Sequence, residues 1–154
     1  MDALDALGRT AVGMALVRAG ESRRPDRLFD DPYAEAFAAA MPGAFAAPAG
    51  PDARRGRGTP GGDVGAAFAV HAVVRTRFFD DRLVAAARDG CRQVILLAAG
   101  LDARAFRLDW PAGTRLFELD LPAVLDLKEQ VLGDRGAAAR CDRAAAFPLA
   151  RCCC

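Results

Sequence analysis

The chain has 154 residues, of which 53% are hydrophobic, and its formal net charge is +1. This composition is typical of a globular domain rather than a disordered chain, and the near-neutral charge offers no electrostatic basis for binding nucleic acid or an anionic membrane. No apolar run approaches the roughly 20 residues of a membrane span, and the N-terminus lacks the basic start of a secretory signal, so we expect a soluble cytoplasmic protein.

The residues that most often bind metals are placed unfavourably for a metal site. Cys91 stands alone, and the other four of the five cysteines lie within residues 141–154. Adjacent cysteines do not easily point at one tetrahedral ion, and the odd number leaves at least one thiol unpaired. The only histidine, His71, is interpreted as a structural residue. We therefore expect no metal, and we treat residues 141–154 as an anomalous cysteine-rich tail.

The first third of the chain is predicted to be helical. Residues 3–18 form an amphipathic pattern in which Arg18 lies off the apolar stripe. The stripe consists of Leu4, Leu7, Ala11, Met14 and Val17. The pair Asp31-Pro32 is typical of a helix start, with an N-cap acceptor followed by proline, and it places Tyr33 and Phe37 on one face.

A basic turn precedes this second helix. Its arginines are Arg23, Arg24 and Arg27. They either meet a substrate carboxylate or form a solvated charged turn, and the local pattern favours the solvated turn.

A long loop and a long helix follow. Residues 42–65 hold four prolines and seven glycines without periodicity, which predicts a lid loop or a connector. The helical pattern then runs from about residue 63 to 89, with Gly90 as its stop signal. It carries more than one apolar face, so we expect a break near Thr76.

Arg75 is the cation of interest on this helix. It lies one turn from Phe78 and Phe79, shortly before the first predicted strand. A guanidinium at that place can approach a ligand carboxylate at the end of the strand. The alternative is an ordinary ion pair with Asp80 or Asp81.

Residues 93–122 form the most informative stretch. The apolar run 94–97 predicts a strand buried on both faces, and residues 115–119 predict a second strand, with a short helix at 102–108 between them. A further helix is predicted at 122–132, with Val124, Leu125, Val131 and Leu132 facing inward. This order is the opening of a parallel α/β sheet, in which ligands bind beyond the carboxyl ends of the strands.

Small residues and one carboxylate mark that crevice. The first strand ends in Ala98, Ala99 and Gly100, which let a ligand lie against the backbone. Asp120 comes 20 positions after Gly100, the offset at which a carboxylate can accept hydrogen bonds from ribose hydroxyls. Glu118 shares its face of an extended strand and is the alternative ribose ligand.

The chemistry of the turn favours one ligand class over another. A dinucleotide-binding turn typically has the pattern G-x-G-x-x-G, whereas this turn has a single glycine. In addition, the carboxylate of Asp102 would repel a pyrophosphate. A ligand with adenine, ribose and an amino-acid tail but no phosphate fits better, and an arginine such as Arg75 would bind its carboxylate. S-adenosylmethionine is such a ligand. A nicotinamide-dependent oxidoreductase is correspondingly disfavoured.

Four blocks of sequence, in order, carry a family resemblance: DPYAEAF, RTRFFDD, QVILLAAGLDARAFRLDWP and LFELDLPAVLDLKEQVL. Over about residues 5–140 the chain resembles the leucine carboxyl methyltransferase-type family of S-adenosylmethionine-dependent methyltransferases, and in particular its bacterial O-methyltransferase branch. The resemblance implies an α/β, Rossmann-like methyltransferase fold. Residues 1–90 would form an N-terminal helical cap with its lid loop, and residues 91–140 the first part of the cofactor-binding domain.

The resemblance also implies roles for individual residues. Arg75 matches the arginine that holds the cofactor carboxylate, and Asp120 matches the acidic residue that binds ribose. Ala98 and Gly100 belong to the glycine-rich turn, with Ala98 in place of a glycine that some members have. No catalytic residue is implied.

The C-terminal part departs from the family pattern. A third strand ending in Asp-Leu should follow the helix 122–132, yet no β-branched residue follows Val131 and the composition changes after Arg143. We therefore expect the C-terminal half of the sheet to be missing, either through truncation or in a genuine short variant.

Three functional interpretations remain open. One is a methyltransferase acting on a carboxylate or hydroxyl group of a small molecule, with oligomerisation as one way of completing the site. The alternative is an inactive truncated remnant, whose short parallel sheet leaves an unpaired edge. An oxidoreductase fragment is the less favoured third interpretation.

Overall fold

The part of the chain that the structure describes has five helices and three strands, and strands and helices alternate only after the first three helices. This computed structural model describes the backbone of residues 2–41, 60–133 and 140–145, and the side chains of residues 10–41 and 65–133. The elements are α1 (Asp2–Ser22), α2 (Ala34–Ala39), α3 (Pro60–Arg88), β1 (Gln93–Leu97), α4 (Arg104–Arg107), β2 (Arg115–Asp120), α5 (Pro122–Leu132) and β3 (Arg140–Ala145). No helix among these residues is both long and apolar enough to span a membrane.

Two predicted features fall partly outside the described residues. The predicted loop contributes residues 42–59 and the predicted tail contributes residues 146–154 to the part that is not described. The side chains of Leu4 and Leu7, from the predicted stripe of the first helix, also lie outside it.

The three strands form a parallel sheet in the order β1-β2-β3. Val94 lies opposite Leu116, and Leu116 lies opposite Cys141. The helices α4 and α5 follow β1 and β2 along the chain, as parallel strands require of their connections. The predicted α/β unit is therefore present, with its strands parallel.

β3 is a strand that the amino-acid pattern does not predict. It spans six residues, RCDRAA, and none of them is β-branched. Its partner β2 supplies the backbone hydrogen-bonding groups, and strand formation depends more on such tertiary pairing than on intrinsic propensity. The sheet therefore does not stop at β2, and the predicted start of the tail at residue 141 falls inside a strand.

The sheet is covered on one face only, within the described residues. Val94 and Leu116 are buried on the covered face, whereas Ile95 and Leu97 on the other face are 61% and 73% exposed. The prediction that β1 is buried on both faces is therefore wrong for the described part of the chain. A continuous apolar run shows that both faces of a strand could be buried, but each face is buried only where another element packs against it.

The helix α1 buries a face that is shifted from the predicted stripe. Its buried apolar residues are Val12, Ala15 and Ala19, while the described members of the predicted stripe are only partly buried. Arg18, expected off the apolar stripe, is 8% exposed. Its Nε donates to Asp31 Oδ2 at 2.8 Å, and this pairing lets the arginine lie on the buried face.

The helix α2 begins two residues later than predicted, with Tyr33 and not Asp31 at its N-cap position. Asp31 Oδ1 accepts a hydrogen bond from Tyr33 N at 3.1 Å, and the helix starts at Ala34. Phe37 is fully buried, and the ring of Tyr33 lies 5.8 Å from that of Phe106. Tyr33 and Phe37 thus face the core together, as their spacing predicts.

The helix α3 runs unbroken from Pro60 to Arg88, so the expected break near Thr76 is absent. Thr76 Oγ1 donates to Ala72 O at 2.8 Å, one turn back along the same helix. A threonine can satisfy its hydroxyl in this way without interrupting the helical ladder. The helix therefore carries Arg75 and Asp80 on one continuous scaffold.

A buried ion pair joins α5 to β2. Lys128 Nζ donates to Glu118 Oε1 at 2.6 Å, and both side chains are completely inaccessible to solvent. Lys128 lies on the same face of α5 as Val124, Leu125 and Leu132, which are buried as predicted. Val131, the fourth residue predicted to face inward, is only partly buried. The charged member of this face is not predicted by the apolar pattern.

We expect Lys128→Met to lower the free energy of unfolding by about 3 kcal/mol, because it takes the ammonium group of Lys128 away from the buried carboxylate of Glu118. The double variant Glu118→Gln/Lys128→Met should recover part of this loss. Glu129→Gln, on an exposed position of α5, serves as the control and should change stability by less than about 0.5 kcal/mol. The free energy of unfolding is measured by urea denaturation that is monitored by circular dichroism. A Lys128→Met variant as stable as the unsubstituted chain would contradict the prediction.

Candidate functional site

A cleft of about 580 Å³ lies at the carboxyl ends of β1 and β2, between α1 and α3. All four of the predicted cofactor-binding residues line it: Arg75, Ala98, Gly100 and Asp120. The volume falls within the range of small-molecule sites in proteins. The structure thus brings into one cleft residues that lie far apart along the chain.

The turn after β1 forms the floor of the cleft. Gly100 has a φ of 54°, in the left-handed region that glycine adopts without strain, and Ala98 has a φ of 50° in the same region. For alanine this conformation costs about 1 kcal/mol. Ala98, where the family resemblance implies a glycine in some members, thus adopts a backbone conformation that glycine adopts without strain.

Asp120 is bound to this turn directly. Its Oδ2 accepts a hydrogen bond from Gly100 N at 2.6 Å, and its Oδ1 accepts one from Leu121 N at 2.7 Å. A carboxylate oxygen has two lone pairs, so each oxygen keeps the capacity to accept a further hydrogen bond from a hydroxyl group. Asp120 can therefore shape the turn and accept bonds from a ligand.

Glu118, the alternative ribose ligand, lies elsewhere. Its side chain is completely buried and accepts the hydrogen bond from Lys128, and it does not line the cleft. The alternation along β2 does put it on the face of Asp120, but α5 covers that face at residue 118. Asp120 is not covered by α5 because it lies at the end of the strand.

Arg75 is available to a ligand. It is exposed, lines the cleft, and makes no ion pair among the residues that the structure describes. The two carboxylates considered as its alternative partners are engaged, because Asp81 pairs with Arg77 and Asp80 pairs with other arginines. The guanidinium of Arg75 therefore faces the cleft without a competing acidic partner.

An ionic cluster that the sequence did not predict lies behind the turn. We call it the arginine–aspartate network; its members are Arg18, Asp31, Asp80, Asp102, Arg104 and Arg107. It draws its charges from α1, from the segment before α2, from α3 and from the turn and helix that follow β1. Their separation along the chain hides the pairing from any local pattern.

The network centres on Asp80 of α3. Its Oδ1 accepts from Arg104 Nε at 2.6 Å and from Arg107 Nη2 at 2.8 Å. Its Oδ2 lies 2.7 Å from Arg107 Nη1, which gives a two-point contact with that guanidinium. One buried carboxylate thus anchors both arginines of α4.

The network also holds the turn itself. Arg18 Nη2 donates to the carbonyl oxygen of Leu101 at 2.7 Å, and Arg18 is fixed in turn by Asp31. The residue after Gly100 is therefore tied to α1, while Gly100 is tied to β2 through Asp120. The turn is held from two sides.

Asp102 does not act as the bare charge that the sequence suggests. Its Oδ1 accepts from Arg104 N at 2.7 Å, and its Oδ2 pairs with the guanidinium of Arg104. Burial favours the neutral form of Arg104, but Asp102 and Asp80 outweigh burial and raise its pKa. The expectation that Asp102 simply repels phosphate thus needs correction, because a permanently charged arginine neutralises it.

We expect Ala98→Gly to keep or raise stability by up to about 1 kcal/mol, because glycine removes the left-handed strain at this position. Ala99→Gly is the matched control. Ala99 is buried and has no positive φ, so the same change should lower stability by about 1 kcal/mol. Thermal unfolding of both variants tests the difference; equal effects would contradict the strain at Ala98.

Comparison with known proteins gives a family-model match and several curated relatives. A family model described as leucine carboxyl methyltransferase matches residues 11–149. A protein of Frankia alni is 60% identical over 138 residues, which cover 89% of this chain and 46% of the relative. A protein of a Parafrankia species is 56% identical over 140 residues, covering 89% of this chain and 43% of the relative.

A third relative, from Streptomyces coelicolor, is 52% identical over 137 residues, which cover 87% of this chain and 46% of the relative. Each of the three has a name that provisionally describes it as an S-adenosyl-L-methionine-dependent methyltransferase. The chain spans about half the length of the curated relatives it matches. With the family model matching most of its residues, the chain belongs to the leucine carboxyl methyltransferase family.

Proposed function

We propose that the cleft binds S-adenosylmethionine and that the protein transfers its methyl group to an oxygen of a small-molecule acceptor. The observation that carries the proposal is the pairing, in one cleft, of the available guanidinium of Arg75 with the hydrogen-bond acceptor Asp120. Membership of the family and the names of the relatives support it.

The residues of the cleft fit this cofactor in its charged and polar parts. Arg75 would hold the carboxylate of the amino-acid tail, and Asp120 would accept hydrogen bonds from ribose hydroxyls. Gly100 would let the ligand approach the backbone, because no side chain stands in the way. Met14, Phe79 and Leu83 add apolar surface to the lining.

Methyl transfer from S-adenosylmethionine requires little acid–base catalysis by the protein. The bound sulfonium would supply a methyl group that is already activated, so that positioning of the acceptor oxygen governs the rate. Within this chain, Arg75, Asp120 and the turn at Ala98–Gly100 would contribute by fixing the cofactor, and no residue is assigned a catalytic role.

The finer organisation forms part of the same proposal. We propose a Rossmann-like arrangement, with residues 1–90 as a helical cap and residues 91–140 as the first part of the cofactor-binding domain. The acceptor would present a carboxylate or hydroxyl oxygen, and the protein would act in the cytoplasm. The parallel sheet, with its cleft beyond the carboxyl ends of the strands, supports the arrangement.

We expect Arg75→Gln to weaken binding of S-adenosylhomocysteine by roughly tenfold or more, because a charge-assisted hydrogen bond to the carboxylate is lost. Adenosine lacks that carboxylate and should bind the variant and the original chain equally. Calorimetric titration measures both. Arg82→Gln is the matched control, since Arg82 lies on the same helix outside the cleft. An unchanged affinity for S-adenosylhomocysteine would place the carboxylate elsewhere.

We expect Asp120→Asn to weaken binding of adenosine by roughly tenfold, because the amide offers one acceptor oxygen where the carboxylate offers two charged ones. Asp126→Asn, on an exposed position of α5, removes the same charge away from the cleft and should leave binding unchanged. The measurement is again calorimetric titration. Tighter binding of NAD than of S-adenosylmethionine by the original chain would overturn the proposed function itself.

A further inference from the structure

The charges that line the cleft are not equally available. Three of its described lining residues are arginines: Arg18, Arg75 and Arg104. Arg18 is bound to Asp31 and to the carbonyl oxygen of Leu101. Arg104 is bound to carboxylates on two sides, and only Arg75 is left without an ion pair among the described residues.

Arg104 is held between two carboxylates of different accessibility. Asp80, whose side chain is 6% exposed, contacts its Nε from behind, at 2.6 Å. Asp102, whose side chain is 19% exposed and which lines the cleft, contacts its Nη1. Since Arg107 also takes a two-point contact from Asp80, the two carboxylates together balance the two arginines of α4.

Resting on the proposed function, we propose that Asp102 is a specificity-determining residue of the cleft. By holding the guanidinium of Arg104, it leaves Arg75 as the cation available to a ligand. The cleft then suits a ligand with a single carboxylate and disfavours a nucleotide diphosphate, whose phosphates need several cations or free donors. Phosphate is excluded by the engagement of Arg104 and not by repulsion from an unpaired carboxylate.

The variant Asp102→Asn removes one charge from this balance. The amide oxygen can still accept the hydrogen bond from Arg104 N, so the turn keeps its local contact. Asp80 then remains the one carboxylate in close contact with both Arg104 and Arg107, since Asp31 approaches Arg107 only at 3.9 Å, and the surplus positive charge lies at the cleft. Affinity for a diphosphate should rise, while affinity for an uncharged nucleoside should not.

The test is calorimetric titration of the 154-residue chain with adenosine and with ADP. The original chain should bind ADP more weakly than adenosine. In Asp102→Asn the ratio of the two dissociation constants should shift towards ADP by roughly tenfold, the size of a charge-assisted hydrogen bond to a phosphate oxygen. The double variant Asp102→Asn/Arg104→Gln should lose this gain.

Asp109→Asn is the matched control, because Asp109 is exposed, close in sequence and outside the cleft. It removes the same charge from the chain and should leave the ratio unchanged. Asp102→Ser keeps an acceptor oxygen in a smaller side chain, and it provides the same test should Asp102→Asn not fold.

Three results would overturn the inference. An unchanged ratio in both Asp102 variants, an equal loss of both ligands, or ADP binding to the original chain as tightly as adenosine would each do so. An equal loss would mean that Asp102 only supports the turn. The proposed function fails separately, and takes this inference with it, if the original chain binds neither adenosine nor S-adenosylhomocysteine.

Discussion

Burying a guanidinium group costs several kcal/mol unless a carboxylate is placed against it with good geometry. In the described part of the chain, the ion-paired side chains of Arg18, Arg104 and Arg107 are largely buried, and the most accessible of them, Arg104, is 13% exposed. Each has its carboxylate on a different element: Arg18 of α1 pairs with Asp31, and both arginines of α4 pair with Asp80 of α3. Because any displacement would leave a buried charge without its partner, the network fixes the N-terminal helices against the turn that follows β1.

The pairing of these buried arginines with carboxylates determines the shape and the charge of the cleft. Arg18 holds the carbonyl of Leu101 and Asp120 holds the amide of Gly100, so the turn is bound to α1 on one side and to β2 on the other. Arg75 lies on the same helix as Asp80 but outside the network. The division between engaged and available arginines therefore depends on the packing of the N-terminal helices, which supply Arg18, Arg75 and Asp80 to the lining of the cleft and the network behind it.

Local rules predicted much of this arrangement. A helix shortly after Asp31-Pro32, the inward face of α5 and the strand–helix–strand order each follow from short-range chemistry, namely turn signals, helical spacing and apolar runs. They failed where a distant partner decides the outcome. Arg18 is buried because Asp31 receives it, and β3 forms because β2 offers its backbone. Conversely, Ile95 remains exposed because no described element packs over it.

The sequence by itself determined the alternation of helices and strands, the glycine-bearing turn, and the residues Arg75, Gly100 and Asp120 as candidates for one site, because spacing along the chain and residue type suffice for these. Only the tertiary structure decided which charges are engaged. Asp102 looks like an unpaired carboxylate in the sequence and is neutralised by Arg104 in the fold. The physical reason is that ion pairing depends on distances in space, and these are set by the packing of elements that the chain separates.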